Sequence, residues 1–348
     1  SSDITADSKV LLYRNVMQRV QRLAPFLHYD NDPYMVVDNG RLSWVIEGYT
    51  KTGRFPYGET IRGVGNYMRN SVKIVIDAKD GDVTFYRIDD QDPIIMAWSN
   101  TFPDVFRPID EMPESLRAHL RYPQALFRLQ AHIFTTYHMK ETQVFYSSED
   151  EWEIPAVGGV RMEPYYIIMK LPDEDTEEFL LMLPYTPLNK PNLAAWMVAR
   201  SDGEHYGKIR VYSFPKDKMV YGPKMIVARF DQNDEISEKL SLWNQQGSAV
   251  ERGTLLVIPI EESLIYVQPL YLKAESGSIP ELKRVIVGYE NHVAMEDTLE
   301  LGLQKIFGDA REIQPEFTET GEAYVPPGWD ELVSKAKASF DKAELSAR

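Results

Sequence analysis

The sequence predicts an α+β fold: hairpin-rich, mainly antiparallel sheets with flanking helices, in about two subdomains. Three observations carry this. Apolar, β-rich runs recur in pairs across Asn-Gly, Asp-Gly or acidic turns, the pattern of antiparallel hairpins. Helical periodicity falls in separate blocks and does not alternate regularly with single strands, so a doubly wound parallel sheet is not expected. The 348 residues are enough for about two ordinary domains.

Leu12, Val16, Val20 and Leu23 recur at helical spacing, with Asp7 or Ser8 placed to cap the helix and Pro25 to end it. Residues 34–37 and 42–49 then flank Asp38-Asn39-Gly40, a strong hairpin signal. Residues 72–78 and 83–88 repeat the arrangement around Asp80-Gly81. The mostly apolar run Lys73-Ile74-Val75-Ile76-Asp77 marks a strand deep in its sheet. Pro113 and Glu114 suit a first helical turn. Pro123 starts a second helix to about Tyr137, with Leu126, Leu129, Ile133, Phe134 and Tyr137 as its apolar face. Residues 147–159 are acidic and then punctuated by Gly and Pro, which makes them the best internal boundary.

Beyond that boundary, residues 165–171 pair with 178–183, 193–200 with 208–214, and 254–260 with 264–272. Ile236, Leu240 and Trp243 form a short helix stopping at Gly247, residues 283–289 form a strand, and Asp297 caps a last helix to Gly308. Subdomains are therefore expected at 1–150 and 151–310, followed by an extended arm and polar helix over 311–348.

Composition narrows the function classes. Lys plus Arg number 38 against 53 Asp plus Glu, a net charge of −15, so no nucleic-acid partner is expected. Cysteine is absent, which removes disulfides, thiol catalysis and thiolate metal sites. No window of 18 uninterrupted apolar residues occurs, and residues 1–9 are polar with no hydrophobic signal region.

The chemistry motifs are weak. Gly63-Val64-Gly65 begins a dinucleotide fingerprint, but Met68 holds its third glycine position, and a surface turn is the better reading. Acidic runs from Asp30, Asp77 and Asp231 each fail a calcium-loop position. His28, His119, His132, His138, His205 and His292 form no helical His-x-x-x-His pair. Carboxylate groups such as Asp89-Asp90-x-Asp92 read as solvated turns. No cofactor, no metal and no catalytic residue is assigned. Three clusters mix ring faces with donors: Arg54-Phe55-Pro56-Tyr57, residues 66–70, and residues 119–123. From them, and from His138, comes a candidate ligand-binding set: Tyr67, Arg69, Asn70, His119, Arg121, Tyr122 and His138. A sugar, a peptide or another small molecule fits such groups, although buried Tyr and Arg equally tie loops to sheets.

The same segments carry a family resemblance. Trp44-Val45-Ile46-Glu47-Gly48-Tyr49-Thr50, residues 66–73 (NYMRNSVK), 77–81 (DAKDG), 116–127, Tyr137-His138-Met139, 266–271 (YVQPLY) and 295–308 (MEDTLELGLQKIFG) together resemble the uncharacterised UPF0182 family of large bacterial multi-pass membrane proteins. The resemblance runs over about residues 5–310. It implies that membrane helices absent from this chain precede an extracytoplasmic domain like this one. It implies no reaction, so it assigns no catalytic residue. Trp196 and Lys190-Pro191 are small departures from the family pattern. Absent cysteine suits an extracytoplasmic setting, where stray thiols oxidise.

Two functions from different classes follow. The favoured one is a non-enzymatic extracytoplasmic domain at the bacterial plasma membrane that binds a ligand, senses or supports assembly, alone or as a homo-oligomer. The alternatives are an envelope hydrolase using a carboxylate or histidine near the Tyr-rich loops, and the accessory domain of a transporter. A hydrolase would bring His119 or His138 within reach of a carboxylate inside a cleft.

Overall fold

The hairpin expected at Asp38-Asn39-Gly40 opens the first sheet of the computed structural model, which describes residues 12–172, 174–217, 219–244, 248–260, 263–274 and 279–308. Asp38 pairs with Arg41, and both intervening residues take positive φ, 49° at Asn39 and 77° at Gly40. That geometry matches the right-handed twist of the two strands it joins. The chain forms two compact units that divide between Phe127 and Arg128.

The first unit runs α1 (Val16–Leu23), β1 (His28–Tyr29), β2 (Tyr34–Asp38), β3 (Arg41–Thr52), β4 (Tyr67–Asp77), β5 (Val83–Arg87), α2 (Pro93–Thr101), β6 (Phe106–Pro108), α3 (Glu114–Arg117) and the start of α4 (Gln124–Tyr137). Its six strands form one sheet in the order β1-β3-β4-β5-β6, with β2 also paired to β3. Every pairing is antiparallel except β5 with β6. Ile46, Val72, Ile74, Ile76 and Phe85 form a core with Val20 and Ala24 at α1 and Ile95 of α2. The other face is buried too, at Val45, Tyr49, Val75 and Tyr86, so β4 lies deep in the sheet as its apolar run predicts.

Two helical expectations are corrected. Asp7 and Ser8 lie outside the described residues. The first helix starts only at Val16, after Asn15, whose Oδ1 accepts from the Gln18 amide at 3.1 Å. The buried stripe of α4 is Phe127, Ala131 and Thr135, spaced by four, while Tyr137 is 54% exposed. Leu126, Leu129, Ile133 and Phe134 of the expected face are half-buried beside that stripe. Small Ala131 and Thr135 instead lie on the face that packs most closely.

The second unit continues with α5 (Thr142–Ser147), β7 (Trp152–Glu153), β8 (Ala156–Val157), β9 (Val160–Arg161), β10 (Tyr165–Lys170), β11 (Glu177–Pro187), β12 (Ala195–Arg200), β13 (Ile209–Ser213), α6 (Pro223–Gln232), α7 (Asp234–Trp243), β14 (Ser248–Arg252), β15 (Leu256–Ile260), β16 (Ser263–Ala274), β17 (Glu281–Tyr289), β18 (His292–Glu296) and α8 (Leu299–Phe307). One sheet runs β10-β11-β12-β13 with β7 on β11; another runs β14-β16-β17-β18 with β15 on β16. All these pairings are antiparallel, including the three hairpins expected from sequence. Ile226 and Phe230 of α6 and Ile236 of α7 pack with Tyr266, Leu270 and Ile286 of the sheet. Helix α8 approaches β17 so closely at Gly302 that a Cβ there would stand 2.7 Å from Val287 Cγ2. Thr298, and not Asp297, caps α8, its hydroxyl accepting from the Leu301 amide at 3.3 Å. The expected stop at Gly247 and the arm over 311–348 lie outside the described residues.

Candidate functional site

Strands β3 and β4 place two polar clusters on opposite faces of one sheet. Glu47 stands opposite Lys73, and Gly48 opposite Val72, but Tyr49 pairs with Asn70. Ser71 is thus an extra residue, a β-bulge. In unbroken alternation Asn70 would share a face with Val72. The bulge turns it to the face of Glu47 and Lys73, and turns Ser71 to the face of Thr50 and Val72.

On the first face, Lys73 Nζ donates to Glu47 Oε2 at 2.6 Å and to the Arg121 carbonyl at 3.2 Å. Asn70 Nδ2 donates to the same carboxylate oxygen at 2.9 Å and to the Gly48 carbonyl at 3.1 Å. The Lys73 side chain is 0% exposed and that of Glu47 3%. Burial pushes the Glu47 carboxyl up, against the pull of Lys73 and Asn70. Burial likewise pushes the Lys73 ammonium down, against the Glu47 charge. Glu47 Oε1 has no hydrogen-bond partner among the described residues. Nearby, the Arg121 guanidinium lies 4.0 Å over the Tyr34 ring and pairs with Asp32 at 2.7 Å. Tyr49 donates its hydroxyl to Asp30 at 2.8 Å.

On the second face, Asp92 accepts from Thr50 and Ser71 (both 2.6 Å), Tyr67 (2.7 Å) and the Ile94 amide (3.0 Å). It is fully buried as the N-cap of α2, which corrects its reading as part of a solvated turn. Asp92-Pro93 is itself a helix-start signature, so a signal was present in the sequence. Burial alone would raise the Asp92 carboxyl, but its four hydrogen bonds outweigh that and hold it below the ordinary 3.8. A depressed folded-state value stabilises at pH above the unfolded value, and the contribution is lost as pH falls through the folded one. We therefore expect the first unit to lose stability as pH drops below about 4. Asp92→Asn should cost about 2 kcal/mol at pH 7 and flatten that decline, as read by urea denaturation at pH 7 and pH 3. An equal acid slope in both proteins would refute the assignment.

The predicted residues are therefore divided. Asn70 and Arg121 meet at the Glu47–Lys73 pair. Tyr67 and Arg69 point to the other face, where Arg69 pairs with Asp89 at 2.7 Å. Tyr122 is buried, with its ring edge-on to Phe127. His119 is exposed, and its backbone carbonyl meets the Tyr34 hydroxyl at 3.4 Å. His138 lies in the second unit, stacked on Trp152 at 3.7 Å, with its ring nitrogens 3.1 Å and 2.8 Å from the Phe134 and Asp150 carbonyls. Glu47, Lys73 and Asp92 were not in the predicted set. Gly63 and Gly65 lie in the 53–66 loop with positive φ and no helix following, as a surface turn requires.

The second unit has its own buried ionic cluster. Arg200 is 0% exposed, and its Nε donates to Glu178 at 2.6 Å and its Nη1 to Glu174 at 2.8 Å. Ligand atoms of Glu174, Glu178 and His205 lie within 4.8 Å of one another. The guanidinium already supplies the positive charge a metal would bring, so the cluster is an ion-pair network. Two clefts of about 500 Å³ and 460 Å³ also lie in this unit. Neither takes a wall from residues 66–70 or 119–122.

Comparison with known proteins places the chain. A family model described as "Uncharacterised protein family (UPF0182)" matches residues 1–243. A UPF0182 protein of Pelobacter propionicus is 52% identical over 345 residues, covering 99% of this chain and 38% of the relative. One of Geobacter sp. strain M21 is 50% identical over 347 residues, with the same coverage of both. A third, of Trichlorobacter lovleyi, is 54% identical over 312 residues, 89% of this chain and 35% of the relative. No solved structure matches. The chain spans less than two-fifths of the length of these relatives, and it belongs to the uncharacterised protein family UPF0182.

Proposed function

We propose that this chain is an extracytoplasmic domain of a larger multi-pass bacterial membrane protein, with a non-enzymatic role in ligand binding, sensing or assembly. The observation that carries the non-enzymatic part is the placement of the two histidines a hydrolase would use. His138 has both ring nitrogens at backbone carbonyls, His119 stands exposed, and among the described contacts neither meets a carboxylate. The polar residues on β3 and β4 bond to one another and to Asp89, Asp92 and the Arg121 carbonyl, which ties the sheet to the segments beside it. Relatives more than twice as long as this chain leave room for membrane helices outside it. The missing cysteines suit an oxidising compartment.

Location is tested in the full-length protein by Tyr146→Cys, at a side chain 93% exposed in a chain with no cysteine of its own. A membrane-impermeant maleimide should label this variant in intact cells above the unsubstituted background. Labelling only after lysis would overturn the extracytoplasmic assignment.

A further inference from the structure

We propose that the cleft beside α8 in the second unit binds a small oxyanion, a carboxylate or phosphate group on a compact solute. Its volume, about 500 Å³, falls in the range of small-ligand sites. Arg229, Asn291, His292, Val293, Lys305 and Ile306 line it.

Arg229, on α6, is oriented by neutral partners only. Its guanidinium packs 5.0 Å over the Tyr221 ring, and its Nη1 donates to Asn291 Oδ1 at 2.7 Å and to the Glu290 carbonyl at 3.4 Å. Arg128, Arg200, Arg210, Arg252 and Arg284 of the same unit each sit against a carboxylate. Arg229 meets no carboxylate among the described residues, so its charge is uncompensated and its other N–H groups remain to be used. Asn291 Oδ1 also accepts from the Tyr221 hydroxyl at 3.1 Å. Two donors on that oxygen fix the amide orientation and leave its Nδ2 as a donor. Lys305 is held by Glu296 at 2.7 Å and Glu235 at 3.4 Å, and Glu235 also pairs with Lys239 at 2.7 Å, so this network of two cations and two carboxylates adds N–H groups without net charge.

The cleft thus presents one fixed, uncompensated guanidinium beside a fixed amide donor, with Val293 and Ile306 for an apolar portion. That fork of N–H groups matches the paired oxygens of a carboxylate or phosphate. A cation would be repelled by Arg229, and a neutral ligand would leave its charge unanswered. This inference does not depend on the membrane location proposed above.

The test titrates the whole chain with sodium phosphate and with sodium acetate, each against sodium chloride at equal ionic strength. The readouts are unfolding temperature and the NMR shift of the Asn291 side-chain amide. At least one anion should raise the unfolding temperature saturably and move that amide; the anion that does so identifies the group. Arg229→Gln should weaken the response about tenfold or more, while Arg252→Gln, outside the cleft wall, leaves it unchanged. Asn291→Asp supplies an internal carboxylate to Arg229 and should abolish binding in a folded chain. No saturable effect beyond chloride, or an undiminished response in both cleft variants, would overturn the proposal.

Discussion

Lys73→Met lowers the unfolding free energy of the first unit by about 3–5 kcal/mol, because it strands a buried carboxylate. Glu47 then keeps only Asn70 as a side-chain donor, and its other oxygen already has no partner among the described residues. The Arg121 carbonyl loses the Lys73 ammonium as well. The cost comes from leaving one charge alone, since a buried pair returns little more than its own desolvation. The double variant Glu47→Leu with Lys73→Met should accordingly recover most of the lost stability. Urea denaturation of the four proteins of this cycle reads the result. A single-variant loss below about 1 kcal/mol would mean that water reaches the pair and solvates Glu47.

Arg200→Ala produces a loss of similar size, about 3–5 kcal/mol, in the second unit. Arg200 is completely covered and bridges Glu178, on the neighbouring strand β11 and only 6% exposed at the side chain, to Glu174 in the turn before that strand. Arg200→Lys should rescue little, because an ammonium cannot reproduce the two parallel N–H bonds to Glu178. Arg210 also reaches Glu174, at 3.0 Å, but from a half-exposed position, so Arg210→Ala should cost below about 1 kcal/mol. Thermal and urea unfolding of the three variants separate these cases. A full rescue by lysine would show that only charge matters at this position.

Local signals made most of the hairpins legible. Asn39-Gly40 specifies its turn chemically, and a two-residue connection fixes the pairing of every residue after it. Strands β3 and β4 are joined by 14 residues, 53–66, so no turn sets their register. That Glu47 faces Lys73 therefore had to come from the structure, although an acid inside an apolar strand was a visible anomaly. The bulge at Ser71 left no mark in the sequence at all. Within residues 67–70 plain alternation already sends Asn70 to one face and Tyr67 and Arg69 to the other, and the bulge decides that Asn70 shares its face with Glu47 and Lys73. Asp92 was legible as a helix start but was outweighed by the abundance of acids around it. The Arg229 cleft joins α6 to a much later stretch, the turn between β17 and β18 with β18 and α8, and no local pattern announces that meeting.

The extra residue in β4 also makes chain length matter there. Deleting one residue between Tyr67 and Lys73 would restore simple alternation, and the strand has a single residue, Ser71, to lose. With the register held at Val72, loss of Ser71 itself would cost Asp92 one hydroxyl donor, whereas loss of Met68, Arg69 or Asn70 would draw Ser71 into the alternation and take both the Asn70 amide from Glu47 and the Ser71 hydroxyl from Asp92. Substitutions along this stretch can be absorbed one side chain at a time. A one-residue deletion at 68–70 cannot, because it moves polar side chains of both faces at once. Natural variation in the length of this part of the chain should therefore gather in the loop at 53–66 and leave the span from Tyr67 to Lys73 with a constant count.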